Sequence, residues 1–167
     1  MKNYLILLLL ILLAGCAGIH SKKLPYGKIE KYGIVEKIKD GGIYQAPDSL
    51  AGYAEDGVET EIRKITDIIP LKRDIIFGMN WCAYGLPNGN FDLVYRISHP
   101  ITSRPGKKPS RSFEEIFSTS KENDGPYCTG DSYKLHEEWE MVSGAWKLEV
   151  IYQGKALVSK KFKVVER

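Results

Sequence analysis

The chain lacks the short motifs that mark the common classes of enzyme. It contains no GxSxG nucleophile elbow, no P-loop, no GxGxxG dinucleotide fingerprint and no HExxH motif. These absences exclude the enzyme classes that a motif identifies. A pair of carboxylates acting on a glycan has no fixed spacing in sequence, so a hydrolase of this type stays open as the alternative to a binding or structural role.

Strong charge of either sign and long helical segments are also missing. The 167 residues include 24 Lys and Arg against 21 Asp and Glu, and 43% of them are hydrophobic. This balance is typical of an ordinary folded domain and does not fit a nucleic-acid-binding protein. No long segment after the N-terminus has apolar residues with a period of 3.6, which indicates a domain built from strands.

The N-terminus has the form of an export signal. Lys2 supplies a positive charge, and residues 4–13 form an apolar run that is shorter than the roughly 20 residues of a permanent membrane-spanning helix. Residues 13–16, Leu-Ala-Gly-Cys, resemble the lipobox of bacterial lipoproteins. The resemblance implies cleavage before Cys16 and lipidation of that residue. The alternative is an ordinary cleavable signal that ends in a cysteine.

Lipidation of Cys16 implies a location as well as an anchor, because two acyl chains hold a protein at a membrane far more firmly than one. Ala17 stands where many inner-membrane lipoproteins of Gram-negative bacteria have an aspartate. We therefore predict the outer membrane facing the periplasm, or the outer face of the cell membrane in a Gram-positive organism. The predicted organisation is a signal peptide over residues 1–15, a lipidated tether over 16–27 and one domain over 28–167.

Cysteine is scarce, and the two residues that lipidation leaves, Cys82 and Cys128, form an even pair. Export places them in an oxidising compartment, which favours a disulfide between them. Two separate buried thiols or a shared metal ion are the alternatives. Both are disfavoured because Cys82 lies in an apolar strand and no CxxC spacing is present.

Alternation of apolar and polar residues with a period of 2 predicts about seven strands. The clearest feature is the final hairpin, in which residues 146–152 alternate, Gln153-Gly154-Lys155 forms the turn and residues 157–164 return. The other predicted strands cover residues 28–38, 58–69, 75–84, 91–97 and 133–141. This spacing is typical of an all-β domain, and we predict an immunoglobulin-like antiparallel β-sandwich.

Two further details follow from the same pattern. The turn residues 87–90, Pro-Asn-Gly-Asn, predict a hairpin between a central strand over 75–84 and a strand over 91–97, which His99-Pro100 would end. Residues 112–117 fit either a short helical turn or the edge of a sheet.

One loop carries the only predicted surface feature that indicates a type of partner. Residues 103–111 include proline and glycine and four basic side chains, Arg104, Lys107, Lys108 and Arg111. This charge predicts contact with an anionic lipid or glycan. The alternative is a solvated loop whose charge keeps the domain soluble.

Three side chains would share one face of the strand predicted over residues 133–141, namely His136, Glu138 and Glu140. Imidazole and carboxylate ligands suit zinc or manganese. We prefer the alternative, a solvated outer face opposite Trp139. No catalytic residue, metal site or cofactor is therefore predicted.

Several short segments are distributed along the domain, namely Tyr32-Gly33-Ile34, Phe77-Gly78, His99-Pro100, Trp139-Glu140-Met141-Val142, Gly144-Ala145-Trp146 and Phe162-Lys163-Val164. Together they resemble a bacterial family of domains of unknown function, numbered 3859, over about residues 28–165. The resemblance implies a β-sandwich and no known activity, and it carries over no functional residues.

An anchor and a sandwich without catalytic motifs predict a lipid-anchored extracytoplasmic binding or structural module of the bacterial envelope. Such a module would contact an envelope protein or polymer through its loops or an edge strand. The alternative is an envelope enzyme acting on glycan or lipid. A ligand carrier would need a large cavity, which tightly alternating strands do not suggest.

Overall fold

The structure, a computed structural model, describes residues 24–166, which form eleven strands and one short 3-10 helix. The strands are β1 (Tyr26–Lys39), β2 (Gly42–Gln45), β3 (Tyr53–Asp56), β4 (Glu59–Ile65), β5 (Ile68–Pro70), β6 (Ile75–Tyr84), β7 (Gly89–Thr102), β8 (Ser110–Lys121), β9 (Tyr127–Leu135), β10 (Gly144–Tyr152) and β11 (Lys155–Val165). The 3-10 helix is Glu138–Glu140. The predicted all-β class is confirmed, although the number of strands exceeds seven.

The strands form two sheets and a separate hairpin. The first sheet has the order β4-β1-β6-β9, the second has the order β5-β11-β10-β7-β8, and β2 pairs only with β3. Every pairing in register is antiparallel except that of β11 with β5. The predicted hairpin at the C-terminus is present as β10 and β11.

The core lies between the two sheets because alternate residues of facing strands point inward. Inner-face residues that are at most 1% exposed include Phe77, Met79 and Trp81 of β6 and Trp146, Leu148 and Val150 of β10. The ring of Phe77 meets those of Trp146 and Phe162 edge to face, with centroids 6.0 and 5.1 Å apart. These aromatic contacts join the first sheet to the second.

The segment predicted as a single strand over residues 58–69 is two strands in different sheets. β4 pairs with β1, whereas β5 pairs with β11. The chain crosses between them near Asp67, whose carbonyl accepts a hydrogen bond from the backbone N–H of Lys163 at 2.7 Å. Apolar residues recur on both sides of the crossing, so the pattern of side chains does not reveal it.

The hairpin predicted at residues 87–90 is absent, although the turn itself is present. β6 lies in the middle of the first sheet, as predicted, and β7 lies in the second sheet. The turn therefore carries the chain from one sheet to the other. β7 also continues through His99 and Pro100 to Thr102, so the predicted end of that strand is wrong.

The structure resolves one ambiguous prediction and shortens one predicted strand. The ambiguous residues 112–117 belong to strand β8. The strand predicted over residues 133–141 ends at Leu135 and is followed by the 3-10 helix.

Among residues 24–166 no helix has the length and hydropathy to cross a membrane. Cys16 and the signal peptide lie outside the described residues.

The predicted disulfide between Cys82 and Cys128 is confirmed. The two residues are directly opposed in the pairing of β6 with β9, their Cα atoms are 4.1 Å apart and their sulfur atoms are bonded. Both side chains lie on the outer face of the first sheet, with Cys128 exposed. The bond therefore ties the edge strand β9 to the centre of its own sheet.

Removing this bond with the Cys82→Ser/Cys128→Ser double substitution is expected to destabilise the domain. The sequence separation is 46 residues, and a loop of this length corresponds to about 4 kcal/mol in the chain-entropy model. Urea unfolding of the oxidised protein and the variant measures the difference, with the reduced protein as the control. Equal midpoints for all three would contradict a constraining role for the bond.

Candidate functional site

A cavity lies between the two sheets on the side where they end in β8 and β9. These strands follow each other in the chain but belong to different sheets, and no ladder joins them in the described part of the chain. The β2–β3 hairpin and the loop within it also line this space. The volume of about 530 Å³ is in the range of small-molecule sites.

The wall residues are the inner-face residues of the strands beside the gap. Period-2 alternation points one residue in two toward the cavity. The residues concerned are Phe113, Glu115 and Phe117 of β8, Tyr127, Thr129, Asp131 and Tyr133 of β9, and Tyr95 of β7. The wall is therefore aromatic and acidic, whereas the core beside it is apolar.

Two contacts between β8 and β9 bracket the middle of this wall. The rings of Phe113 and Tyr133 lie 5.9 Å apart. Farther along the strands, the hydroxyl of Thr119 donates a hydrogen bond to the Tyr127 hydroxyl oxygen at 3.2 Å. Asp131 stands between Tyr127 and Tyr133 on β9, so it occupies the central position of its strand in the wall.

Asp131 has no cationic partner among the described residues. Its Oδ2 accepts a hydrogen bond from the indole Nε1 of Trp81 at 2.5 Å. Burial raises the pKa of Asp131 to about 6, against the lowering effect of the Trp81 hydrogen bond. Asp131 is only partly exposed in the wall, so its ionised form is less well solvated than in open water and is costly unless a partner approaches.

The hydroxyl of Tyr95 is a polar group of the wall that has no hydrogen-bond partner among the described residues. The residue is 9% exposed, and its oxygen is buried without a hydrogen bond among the described residues. Burial raises the pKa of Tyr95 well above its usual value, and the nearby charge of Asp131 raises it further. The neutral hydroxyl keeps both a donor and an acceptor, which buried groups in folded proteins normally use.

The β2–β3 hairpin is held beside the cavity by polar contacts at its strands. The hydroxyl of Tyr44 donates a hydrogen bond to Glu115 at 2.5 Å, and this bond raises the pKa of Tyr44 to about 12. The ammonium of Lys37 lies 2.5 Å from the carboxylate of Glu55. Glu115 and Glu55 therefore have partners from the hairpin or β1, whereas Asp131 receives only the Trp81 hydrogen bond within residues 24–166.

The basic side chains predicted to bind an anionic lipid or glycan do not line the cavity. The guanidinium of Arg104 donates a hydrogen bond to the carbonyl oxygen of Pro47 at 3.3 Å, so it supports the loop of the β2–β3 hairpin. Lys107, Lys108 and Arg111 are exposed. Their contact with an anionic lipid or glycan stays a prediction.

The face predicted for His136, Glu138 and Glu140 does not form, because β9 ends before these residues. The Nδ1 atom of His136 lies 2.6 Å from a carboxylate oxygen of Asp74, whereas Glu140 is fully buried. Within residues 24–166 no three His, Cys, Asp or Glu side chains are grouped so that they could hold a metal ion.

Comparison with protein families supplies the assignment. The family described as "Domain of unknown function (DUF3859)" matches residues 24–164. The chain belongs to this family. The resemblance found in the sequence is thereby confirmed. Comparison with curated proteins finds no match.

Solved structures show the fold of this DUF3859 domain. An immunoglobulin-like protein from Pseudomonas aeruginosa is similar to it with a TM-score of 0.59 and 24% identity, covering 87% of this chain and 99% of that chain. The predicted immunoglobulin-like class is therefore confirmed. An alkylpurine DNA glycosylase from Pseudomonas fluorescens matches with a TM-score of 0.39 and 13% identity, covering 59% of this chain and 27% of that chain.

Glu140 fixes the end of β9 in the DUF3859 domain. One carboxylate oxygen accepts hydrogen bonds from the backbone N–H groups of His136 and Glu137 at 2.9 and 2.8 Å, and the other accepts one from the Tyr133 hydroxyl. The carboxylate therefore stabilises the turn after β9 and positions a tyrosine of the cavity wall.

The sequence did contain a signal for the cavity. Glu115 lies between Phe113 and Phe117, and Asp131 lies between Tyr127 and Tyr133, with each set at a spacing of two or four residues. An acidic residue on the aromatic face of a strand is unexpected in a dry core. Alternation within β8 and β9 does not show that these two strands lie beside the same cavity, so the pattern alone does not predict the site.

Replacing Asp131 with Asn is expected to stabilise the domain near pH 7. The folded pKa of about 6 exceeds the ordinary 3.8, so between these values the folded protein binds more protons and its free energy of unfolding falls as the pH rises. Asp131→Asn should remove this fall and gain about 3 kcal/mol above pH 6. Urea unfolding from pH 4 to 8 measures both effects. Asp92→Asn, on an exposed site, is the matched control, and an unchanged pH profile would contradict the prediction.

Replacing Glu140 with Ala is expected to destabilise the domain by about 3 kcal/mol, because two partly buried N–H groups lose their acceptor. Glu140→Gln keeps one carbonyl oxygen for these groups and should cost less. Thermal and urea unfolding of both variants measures the order. Equal losses for Ala and Gln would show that the hydrogen bonds do not carry the effect.

Proposed function

We propose that this DUF3859 domain is a lipid-anchored binding module of the bacterial envelope and that its ligand enters the cavity between β8 and β9. The observation that carries the proposal is the meeting, in one cavity wall, of the Asp131 carboxyl, which has no cationic partner within residues 24–166, and the buried Tyr95 hydroxyl, which has no hydrogen bond there. A domain selected for stability alone would not keep such groups, whereas a binding site uses them to orient a ligand.

The lipid on Cys16 is the part of this proposal that the N-terminal sequence supports. It places the module outside the cytoplasm, at the outer membrane facing the periplasm or at the outer face of a single membrane. The ligand is then a component of the envelope or of the space around it. An envelope protein or polymer that carries the ligand group would be the partner.

A second candidate function is hydrolysis of an envelope glycan. It is favoured by one observation, that two carboxyl groups, Glu115 and Asp131, line the same cavity and that the pKa of Asp131 is raised to about 6. Glycosidases use a protonated and an ionised carboxyl group in this way. Glu115 already accepts the hydrogen bond of Tyr44, which makes binding the better-supported function.

Photo-crosslinking in living cells tests the binding module. Replacing Phe117, in the cavity wall, with p-benzoylphenylalanine should give a discrete adduct with the ligand or its carrier. The same replacement of Ser118, the neighbouring residue on the exposed face of β8, is the matched control and should not give that adduct. Mass spectrometry identifies the products.

The same cells test the anchor. The Cys16→Ser variant should leave the membrane fraction, and its adduct should weaken if the ligand resides at the membrane. Identical adducts at the two positions, or none at Phe117, would contradict binding in the cavity. Membrane association that survives the substitution would contradict lipidation.

A further inference from the structure

We propose that the cavity binds the primary ammonium group of a small organic molecule, with the Asp131 carboxylate as its counter-ion and the Tyr95 hydroxyl oxygen as a further acceptor. This inference rests on the proposed function, because it names the class of ligand for the same cavity.

The charges of the wall favour a cation. Four carboxyl groups line the cavity, Glu55, Asp56, Glu115 and Asp131, against the lysines Lys37 and Lys134. Both lysines are already paired, Lys37 with Glu55 at 2.5 Å and Lys134 with Asp74 at 3.6 Å. An anionic ligand would approach an acidic wall without a free lysine and would face like charge at Asp131.

A cation beside Asp131 would offset the free-energy cost of ionising this carboxyl without a charged partner. The Trp81 hydrogen bond occupies Oδ2 and is the one hydrogen bond that this carboxyl receives within residues 24–166. A buried carboxylate that gains an opposite charge and hydrogen bonds is stabilised much more than an exposed one. Asp131 is thus the group of the wall with most to gain from a ligand cation.

The hydroxyl of Tyr95 favours an ammonium group that has N–H bonds. A primary ammonium donates three hydrogen bonds, which would serve Asp131 and the buried Tyr95 oxygen together. A quaternary ammonium has no hydrogen to donate and would leave Tyr95 without a partner. The rings of Phe117 and Tyr127 in the same wall add the aromatic surface on which ammonium groups are bound.

The size of the cavity bears on the rest of the ligand. A volume of about 530 Å³ exceeds an ammonium group alone, so an alkyl chain or a sugar ring would fill the remainder. An aliphatic diamine and an amino sugar share the ammonium group and differ in this remainder. The experiment therefore uses both.

Isothermal titration of the full-length protein in detergent micelles tests the inference with putrescine and glucosamine, each beside its neutral analogue, 1,4-butanediol and glucose. At least one amine should bind, and its neutral analogue should bind at least tenfold more weakly. Asp131→Asn should lower amine affinity at least tenfold, and Tyr95→Phe several-fold. The matched controls Asp92→Asn and Tyr152→Phe, outside the cavity wall, should bind like the original protein.

The outcomes separate this inference from the proposed function. Asp131→Asn is expected to be more stable than the original protein, so a loss of binding in it would not reflect unfolding. Equal binding of amine and neutral analogue, amine binding that survives Asp131→Asn, or no amine binding would overturn the ammonium assignment. A Phe117-specific adduct in cells would then still support the binding module, whereas the absence of that adduct would overturn both.

Discussion

The edge-to-face contact of Phe77 with Trp146 and Phe162 is the interaction on which the rest of the domain depends. It is the point where the inner faces of the two sheets meet, and each sheet alone would expose a row of large apolar side chains to water. Once the sheets are packed there, β1 and β9 are positioned by pairing with β6, and β7 and β11 by pairing with β10. The cavity lies to one side of this packed centre, where the strand order places β8 and β9 without a ladder between them.

The side of the sandwich where no ladder joins β8 to β9 is stabilised by contacts that lie outside the cavity. The disulfide between Cys82 and Cys128 fastens β9 to β6 from the outer face, and the Glu140 carboxylate fixes the turn after β9. With the strand held from outside and from its end, the inner-face residues of β9 need not form a dry core. This arrangement allows a carboxyl group such as Asp131 to remain in the wall although it costs stability.

Fold similarity and site chemistry answer different questions for this DUF3859 domain. The immunoglobulin-like protein from Pseudomonas aeruginosa shares the architecture at 24% identity, and architecture of this kind carries many unrelated functions. A binding role therefore rests on Tyr95, whose buried hydroxyl has no hydrogen bond within residues 24–166. It rests equally on Asp131, which receives one hydrogen bond, from Trp81, and has no cationic partner there. The basic loop that stood out in the sequence is partly structural, because Arg104 supports the hairpin loop at Pro47.

The class of fold, the strands β6, β10 and β11, the cysteine pair and the family could all be predicted from the sequence alone. The first three depend on local alternation, on a turn beside a strand or on the number of cysteines, and the family depends on short sequence segments, so no knowledge of which residues lie close in space is needed. Tertiary structure alone decided that the chain changes sheets near Asp67, that β6 and β7 are not a hairpin, and that Glu140 is a buried acceptor instead of a surface ligand. It alone also brought Tyr95 and Asp131 to one cavity, because alternation specifies which face a side chain takes but not which strand lies opposite that face.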